Sequence, residues 1–237
     1  MRVNQIHPWD VSPQEAMRIQ NRLKGQVIAR DEFDPGSIRT IAGVDIGFRK
    51  DTAKAAIVVL EFPAMEVLDY VVEEKPVSFP YIPGLLSFRE TPPLILAFER
   101  LETEPDVIIV DGQGIAHPRR FGIASHLGLI LDKPTIGCAK SRLYGRHKQP
   151  GEKAGSVEYL YDREEIIGAA VRTRDNVQHV YVSVGHKVSL ETAIKLVLDC
   201  CRGYRLPEPT RQAHLIAGGA RPPKGKDSAK ADQLTLW

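Results

Sequence analysis

The apolar and polar positions divide the chain into alternating helix-like and strand-like segments. Ser12-Pro13-Gln14-Glu15 reads as an N-cap, a proline at the first helical position and a capping-box glutamate. A helix is predicted from there to about Ala29, with Ala16, Ile19, Leu23 and Ile28 near one face, and Asp34-Pro35-Gly36 breaks the pattern. Three apolar runs follow at residues 41–48, 54–62 and 65–73. The short turns between them favour an antiparallel meander over parallel crossovers. Residues 107–110, Val-Ile-Ile-Val, lack polar alternation, the pattern of a strand buried on both faces at the centre of an α/β sheet. A helix over residues 121–130 and a strand over 133–138 complete a right-handed crossover, so the second strand runs parallel to the central one. Beyond these come a hairpin (157–161 with 166–173), a strand at 179–185, a Ser189-capped helix to about Cys201 and a closing helix over 211–217.

The ends of these elements carry the candidate chemistry. Asp111 terminates the central strand, where open α/β sheets place ligand sites, although Asp-Gly is also common turn punctuation. Gly112 and Gly114 let the backbone turn sharply and approach a ligand closely. Asp45 lies between Val44 and Ile46, so strand alternation points it to the opposite face. An Asp satisfied by backbone donors is the structural alternative there. In residues 79–90, prolines flank Tyr81 and Ile82 and predict a stiff exposed loop. An aromatic at such a tip is similar to the wedges that nucleic-acid proteins push between bases, while packing back on the core is the commoner fate. Thr91-Pro92-Pro93 is expected to open a helix through Leu94, Leu96, Ala97 and Leu101, leaving Glu90 just ahead of it as a favourable N-terminal carboxylate. Lys140 follows the second parallel strand and is expected beside Asp111. Residues 143–155, rich in Gly, Lys, Arg and His, read as a mobile basic loop.

Composition narrows the class. At 237 residues, with 43% hydrophobic and 26% charged positions, the chain can bury a full core as one elaborated domain. A net charge of +2 means that nucleic-acid affinity requires a local basic face rather than a bulk field. Cys138, Cys200 and Cys201 form no Cys-x-x-Cys and are odd in number, which fits a reducing, cytoplasmic setting and neither a disulfide framework nor a zinc site. The first residues have no signal-peptide apolar region, and no apolar stretch reaches membrane-spanning length. Composition changes at Gly218, so the chain divides into a catalytic unit, residues 1–217, and a flexible tail, residues 218–237.

Asp45, Glu90 and Asp111 come from three separate elements that could converge at one end of the sheet. Clustered carboxylates repel and need a compensating positive charge. An all-oxygen set suits Mg²⁺ or Mn²⁺ better than Zn²⁺, and such ions stabilise the attacking and leaving oxygens in phosphodiester hydrolysis. His214 could complete the shell or assist proton transfer, and its nitrogen makes Mn²⁺ competitive. No P-loop, Gly-x-Ser-x-Gly or His-Glu-x-x-His pattern occurs, which argues against NTPase, serine hydrolase and zincin chemistry.

The motifs Val44-Asp45-Ile-Gly-Phe, Pro80-Tyr-Ile-Pro-Gly, Leu86-Ser-Phe-Arg-Glu90, the run from Val110-Asp-Gly-Gln-Gly to Ala-Ser-His126, Ile136-Gly-Cys-Ala-Lys140 and Gly203-Tyr-Arg-Leu-Pro-Glu-Pro-Thr-Arg211 together resemble the endonuclease V family over residues 12–217. The resemblance implies a ribonuclease-H-like α/β fold, with a mixed sheet made of the antiparallel three-strand meander plus parallel strands, flanked by helices. It implies a metal-dependent DNA-repair endonuclease that recognises deoxyinosine and hydrolyses the second phosphodiester on its 3′ side, leaving 3′-hydroxyl and 5′-phosphate ends. It carries over Asp45, Glu90 and Asp111 as metal ligands, His214 as a fourth site position and Lys140 beside the scissile phosphate. Tyr81, with Ile82, Pro83, Gly84 and Leu86, falls in a strand-separating wedge. Gly112, Gln113, Gly114, Ile115 and His117 fall where backbone groups enclose the flipped-out hypoxanthine. Gln113 stands where many members have His, a change of small consequence if the backbone does the recognising.

The last five residues have a separate resemblance. Gln233, Leu234, Leu236 and Trp237 match the form of short peptides that dock on the bacterial sliding clamp, and a tail packed on its own domain is the alternative. Two other readings use the same fold: an endoribonuclease specific for inosine in RNA, and a non-catalytic nucleic-acid-binding module.

Overall fold

The computed structural model describes residues 1–220. The clamp-like peptide, Gln233, Leu234, Leu236 and Trp237, lies outside the described residues, as does all of the expected tail beyond Ala220. An eight-stranded sheet organises the chain. Its strands are β1 (Thr40–Arg49), β2 (Thr52–Glu61), β3 (Val67–Pro76), β4 (Val107–Val110), β5 (Thr135–Ala139), β6 (Val157–Asp162), β7 (Glu165–Val171) and β8 (Val180–His186). The spatial order is β3-β2-β1-β4-β5-β8-β7-β6. β1, β4 and β5 run parallel at the centre, and every other pairing is antiparallel. The predicted meander, central strand and parallel crossover are therefore the ones observed.

Among the described residues there are five α-helices, α1 (Pro13–Leu23), α2 (Leu86–Arg100), α3 (Ile123–Leu131), α4 (Leu190–Asp199) and α5 (Glu208–Ala217), of which α2 to α5 pack on the sheet and α1 packs on Phe79, Phe88 and Phe121. The period-2 rule partitions the core. Ala42, Val44, Ile108 and Val110 pack under α2 and α3 with Leu94, Phe98 and Leu127. Ile41, Val107 and Ile109 face the other way, into the α4 layer with Val182, Leu196 and Val197. The unalternated run of β4 is thus fully buried because both of its faces are covered.

Local chemistry fixes several boundaries. Ser12 Oγ accepts the Glu15 amide at 3.2 Å and starts α1. That helix stops at Leu23, where a 3-10 turn over Lys24–Gln26 replaces the expected continuation towards Ala29. Ser189 Oγ accepts the Thr192 amide at 3.1 Å and starts α4.

Two further sequence expectations need correction. α2 begins at Leu86, not at Thr91, and holds Pro92 and Pro93 in its interior. A helix-interior proline costs about 3 kcal/mol. Burial of Leu94 and Phe98 against the sheet and of Phe88 against α1, at roughly 1.5–3 kcal/mol each, offsets that cost. Glu90 is consequently inside the helix rather than a residue flanking its start. The basic segment over 143–155 is also tied down. Arg146 and Tyr161 exchange backbone hydrogen bonds at 2.7 and 2.8 Å, and the Arg172 guanidinium donates to the Gly151 and Pro150 carbonyls at 2.9 and 3.0 Å. Among the described residues no helix is long and apolar enough to cross a membrane.

Candidate active site

Asp45 and Asp111 lie at neighbouring positions on the sheet because β1 and β4 are parallel partners, with Val44 opposite Val110. The Asp111 amide continues the ladder by donating to the Val44 carbonyl at 3.0 Å. Asp45 points to the α5 face. Gly43 and Gly47 flank it on that same face, and they let the helix sit flush on the strand. A Cβ at Gly43 would fall 2.0 Å from the Pro209 backbone, and one at Gly47 would fall 2.9 Å from the Ala217 carbonyl oxygen. This close approach delivers His214, whose Nδ1 is 2.7 Å from Asp45 Oδ2. One ligand atom each from Asp45, Asp111 and His214 lies within 4.8 Å of the others.

Lys140, just past the end of β5, forms an ion pair with Asp111, and its Nζ is 3.2 Å from His214 Nδ1. Glu90 reaches the same region from α2 and, with Asp111 and Lys140, lines a cleft of about 360 Å³. Burial pushes the Glu90 carboxyl up to about 8, reinforced by the charges of Asp45 and Asp111 and partly relieved by Arg89. Burial and the Asp45 charge also raise Asp111, while Lys140 pulls it back. These carboxylates are therefore gathered at an electrostatic cost that a bound cation would relieve. Their hard oxygen donors, with one imidazole nitrogen, fit Mg²⁺ or Mn²⁺.

The rest of the cleft comes from two loops that lock together. Tyr81, Pro83, Gly84 and Leu86 line one side, and Gly112, Gln113 and His117 the other. Tyr81 is 69% exposed, so its ring is available to a partner. The Gly84 carbonyl accepts from Gln20 Nε2 at 3.0 Å, His117 Nε2 at 2.9 Å and Arg119 Nη2 at 2.7 Å. His117 Nδ1 accepts the Arg119 amide at 3.0 Å, so the ring proton sits on Nε2. Burial, followed by the Arg119 charge, pushes His117 down to about 4 and keeps it neutral. Gln113 is tied into the cleft wall, donating from Nε2 to the carbonyl of Ser141, which lines the same cleft, at 2.9 Å.

Three expected pocket residues lie elsewhere. Ile82 packs against the cluster formed by α1, Phe79 and Phe88. Ile115 packs into the α4-side core. Gly114 backs onto β8, where its amide donates to Ser183 Oγ at 2.9 Å.

Residues 21–215 match the family model of Endonuclease V. The chain belongs to the Endonuclease V family. It is 52% identical over 217 residues to Endonuclease V of Roseiflexus sp. (strain RS-1), which spans 92% of this chain and 97% of that relative. The crystal structure of Endonuclease V from Streptomyces avermitilis is similar with a TM-score of 0.85 at 39% identity, covering 92% of this chain and 96% of that one. Ciona intestinalis Endonuclease V, in complex with a 24mer DNA containing an inosine followed by a ribo-adenosine, is similar with a TM-score of 0.75 at 29% identity, covering 86% of this chain and 95% of that one. The ribonuclease-H-like arrangement expected from the sequence is the observed fold.

Sequence reasoning missed several residues of this Endonuclease V site. Gln20 is 1% exposed on α1, and its Nε2 donates to both the Gly84 and Phe121 carbonyls, joining the loop that carries Tyr81 to the segment before α3. A glutamine on the buried face of an amphipathic helix was the available signal. Arg119, Ser183 and Arg142 have no local pattern that separates them from ordinary surface or strand residues.

Proposed function

We propose that this protein is a DNA-repair endonuclease that uses Mg²⁺, with Mn²⁺ as a substitute, to cut DNA at the second phosphodiester 3′ to deoxyinosine. The observation that carries the reading is the meeting of Asp45, Asp111 and His214 beside Glu90 and Lys140, at one end of an Endonuclease V sheet. Asp45, Asp111 and Glu90 would hold the ion, with His214 at its edge. Such an ion neutralises charge on the phosphate and on its attacking and leaving oxygens.

Hydrolysis adds a water oxygen to phosphorus and breaks the P–O3′ bond. The departing 3′ oxygen takes up a proton, which leaves 3′-hydroxyl and 5′-phosphate ends. Lys140 supplies positive charge at the cleft wall, where a phosphate oxygen is drawn towards it. His214, against Asp45, is placed to accept or return a proton.

Recognition is assigned to the other end of the cleft. Hypoxanthine carries a 6-oxo group and an N1 hydrogen where adenine has an amino group and a bare N1. The backbone at Gly112 and Gln113, the cleft-lining start of the 112–117 turn, would discriminate between them. A deoxyinosine pair is weaker than a normal pair, which lowers the cost of extrusion. Tyr81, exposed at the edge of the cleft, would occupy the space that the extruded base vacates.

The decisive experiment titrates Mg²⁺ against nicking of a duplex with one deoxyinosine, mapping the product ends. Metal-dependent nicking that leaves a 3′-hydroxyl on the first nucleotide 3′ to the deoxyinosine supports the reading. Binding without turnover at any metal concentration refutes it in favour of a non-catalytic module. Exclusive cutting of a matched inosine-containing RNA would reassign the substrate.

A further inference from the structure

The catalytic cleft is a poor place to gain affinity for a polyanion. Three carboxylates line or adjoin it, and Lys140 is committed to Asp111. A net charge of +2 offers no general attraction. A protein that grips DNA neutralises several phosphates, so a basic surface must continue beyond the cleft.

One groove meets that requirement. A second cavity, of about 510 Å³, is bounded by the 142–146 segment and the turn of the β6–β7 hairpin. Arg142 and Leu143 line both cavities, so the two adjoin. Arg146 and Arg163 stand further along the groove. Arg142 and Arg146 have no carboxylate partner among the described residues, and both are exposed. Of the acidic groups at the hairpin turn, Asp162 and Glu165 are paired, whereas exposed Glu164 has no basic partner among the described residues. Arg120 reaches Asp162 at 2.6 Å and Glu165 at 2.7 Å. Tyr161 is 39% exposed beside these arginines, while the adjacent Leu160 is buried, so strand alternation presents the tyrosine outward. The backbone exchange between Arg146 and Tyr161 fixes the arginine-bearing segment against β6, so the groove is built before any ligand arrives.

We propose that this groove binds the sugar–phosphate backbone of the DNA outside the lesion and its scissile bond, with Arg142, Arg146 and Arg163 on phosphates and Tyr161 stacked on a base or sugar. The proposal rests on the endonuclease reading for its substrate, but its test does not. Guanidinium groups on a rigid edge suit phosphates, and an exposed aromatic between them suits nucleic acid over an acidic peptide.

The test compares the full-length protein with Arg146→Gln/Arg163→Gln and Arg146→Lys/Arg163→Lys. Binding to a long deoxyinosine duplex, and to the same duplex undamaged, is measured in EDTA across a salt series. The Gln pair is expected to bind both roughly tenfold more weakly, with a salt slope shallower by about two, close to one per lost phosphate contact. The Lys pair is expected to keep the wild-type slope, because an ammonium also displaces a counterion. An unchanged slope in the Gln pair overturns the groove, and so does a Lys pair that falls as far as the Gln pair. Nicking by the wild-type protein is scored separately. If it fails while the slopes still differ, the endonuclease reading fails and the groove stands.

Discussion

At one end of the cleft, Asp45, Glu90 and Asp111 are gathered with too little positive charge, and burial and mutual repulsion raise the carboxyls of Glu90 and Asp111. At the other end, Gly84 and His117 sit in a network with its donors and acceptors matched. The Gly84 carbonyl takes three donors, and the turn after Asp111 closes on itself through Gly122 to Gly114 at 2.9 Å and Ala124 to Gln113 at 3.0 Å. The contrast separates two tasks. Under the proposed function, the first end would hold a cation and the second would receive a base on an already rigid frame.

The largest expected effect comes from breaking the charged end. Asp111→Asn should lower nicking by on the order of 10³-fold or more, since the metal's stabilisation of the phosphate is worth several kcal/mol. Binding to deoxyinosine DNA should survive. Near-normal nicking would remove Asp111 from the ligand set.

Breaking the rigid end should cost fold stability. A Cβ on Gly114 would fall 1.9 Å from the Val184 carbonyl oxygen, and neither backbone can yield easily. Gly114→Ala should destabilise the protein by roughly 3 kcal/mol, with cleft geometry lost alongside. An unchanged urea midpoint would contradict that packing.

Proton linkage sharpens the comparison. Burial holds the Glu90 carboxyl up at about 8, above its ordinary 4.5, and Asp111 is shifted in the same direction. Ionising them as pH rises from about 4.5 to about 8 therefore lowers the stability of the metal-free protein. Added Mg²⁺ must displace those protons, so its stabilising effect should be larger at pH 8 than at pH 6. Thermal melts at both pH values, with Mg²⁺ and with EDTA, read this out. Equal shifts would mean that the carboxylates do not hold the ion.

Tyr81→Ala should reduce discrimination between deoxyinosine and undamaged DNA by about tenfold, the scale of one lost stacking contact, with the Mg²⁺ melting shift intact. Discrimination unchanged in a competition assay would remove the wedge role. Gln113→Ala should have the smallest effect. It breaks one hydrogen bond to Ser141, worth about 1 kcal/mol of stability, and should change discrimination by less than about threefold. A larger change would bring the Gln113 side chain into base recognition.

Much of this was legible in the amino acids because strand periodicity is local. The alternation around Asp45 and the unbroken apolar run of β4 predicted where both carboxylates would stand. Glu90 was misplaced because paired prolines normally mark a helix start, whereas here the burial of Phe88 and Phe98 carries the helix through them. The 143–155 segment read as mobile because its anchors, Tyr161 and Arg172, lie on strands distant in sequence.

By itself the sequence determined the strands, the parallel centre, and the identity of the residues at the strand ends, since period and turn chemistry are written in neighbouring positions. Only the tertiary structure decided that α5 lies close enough on Gly43 and Gly47 to bring His214 to Asp45, and that three carboxylates face one another with their charge poorly compensated. It alone joined Arg142 to both cavities. Those outcomes depend on distances between elements far apart in the chain, and such distances follow from how whole faces pack.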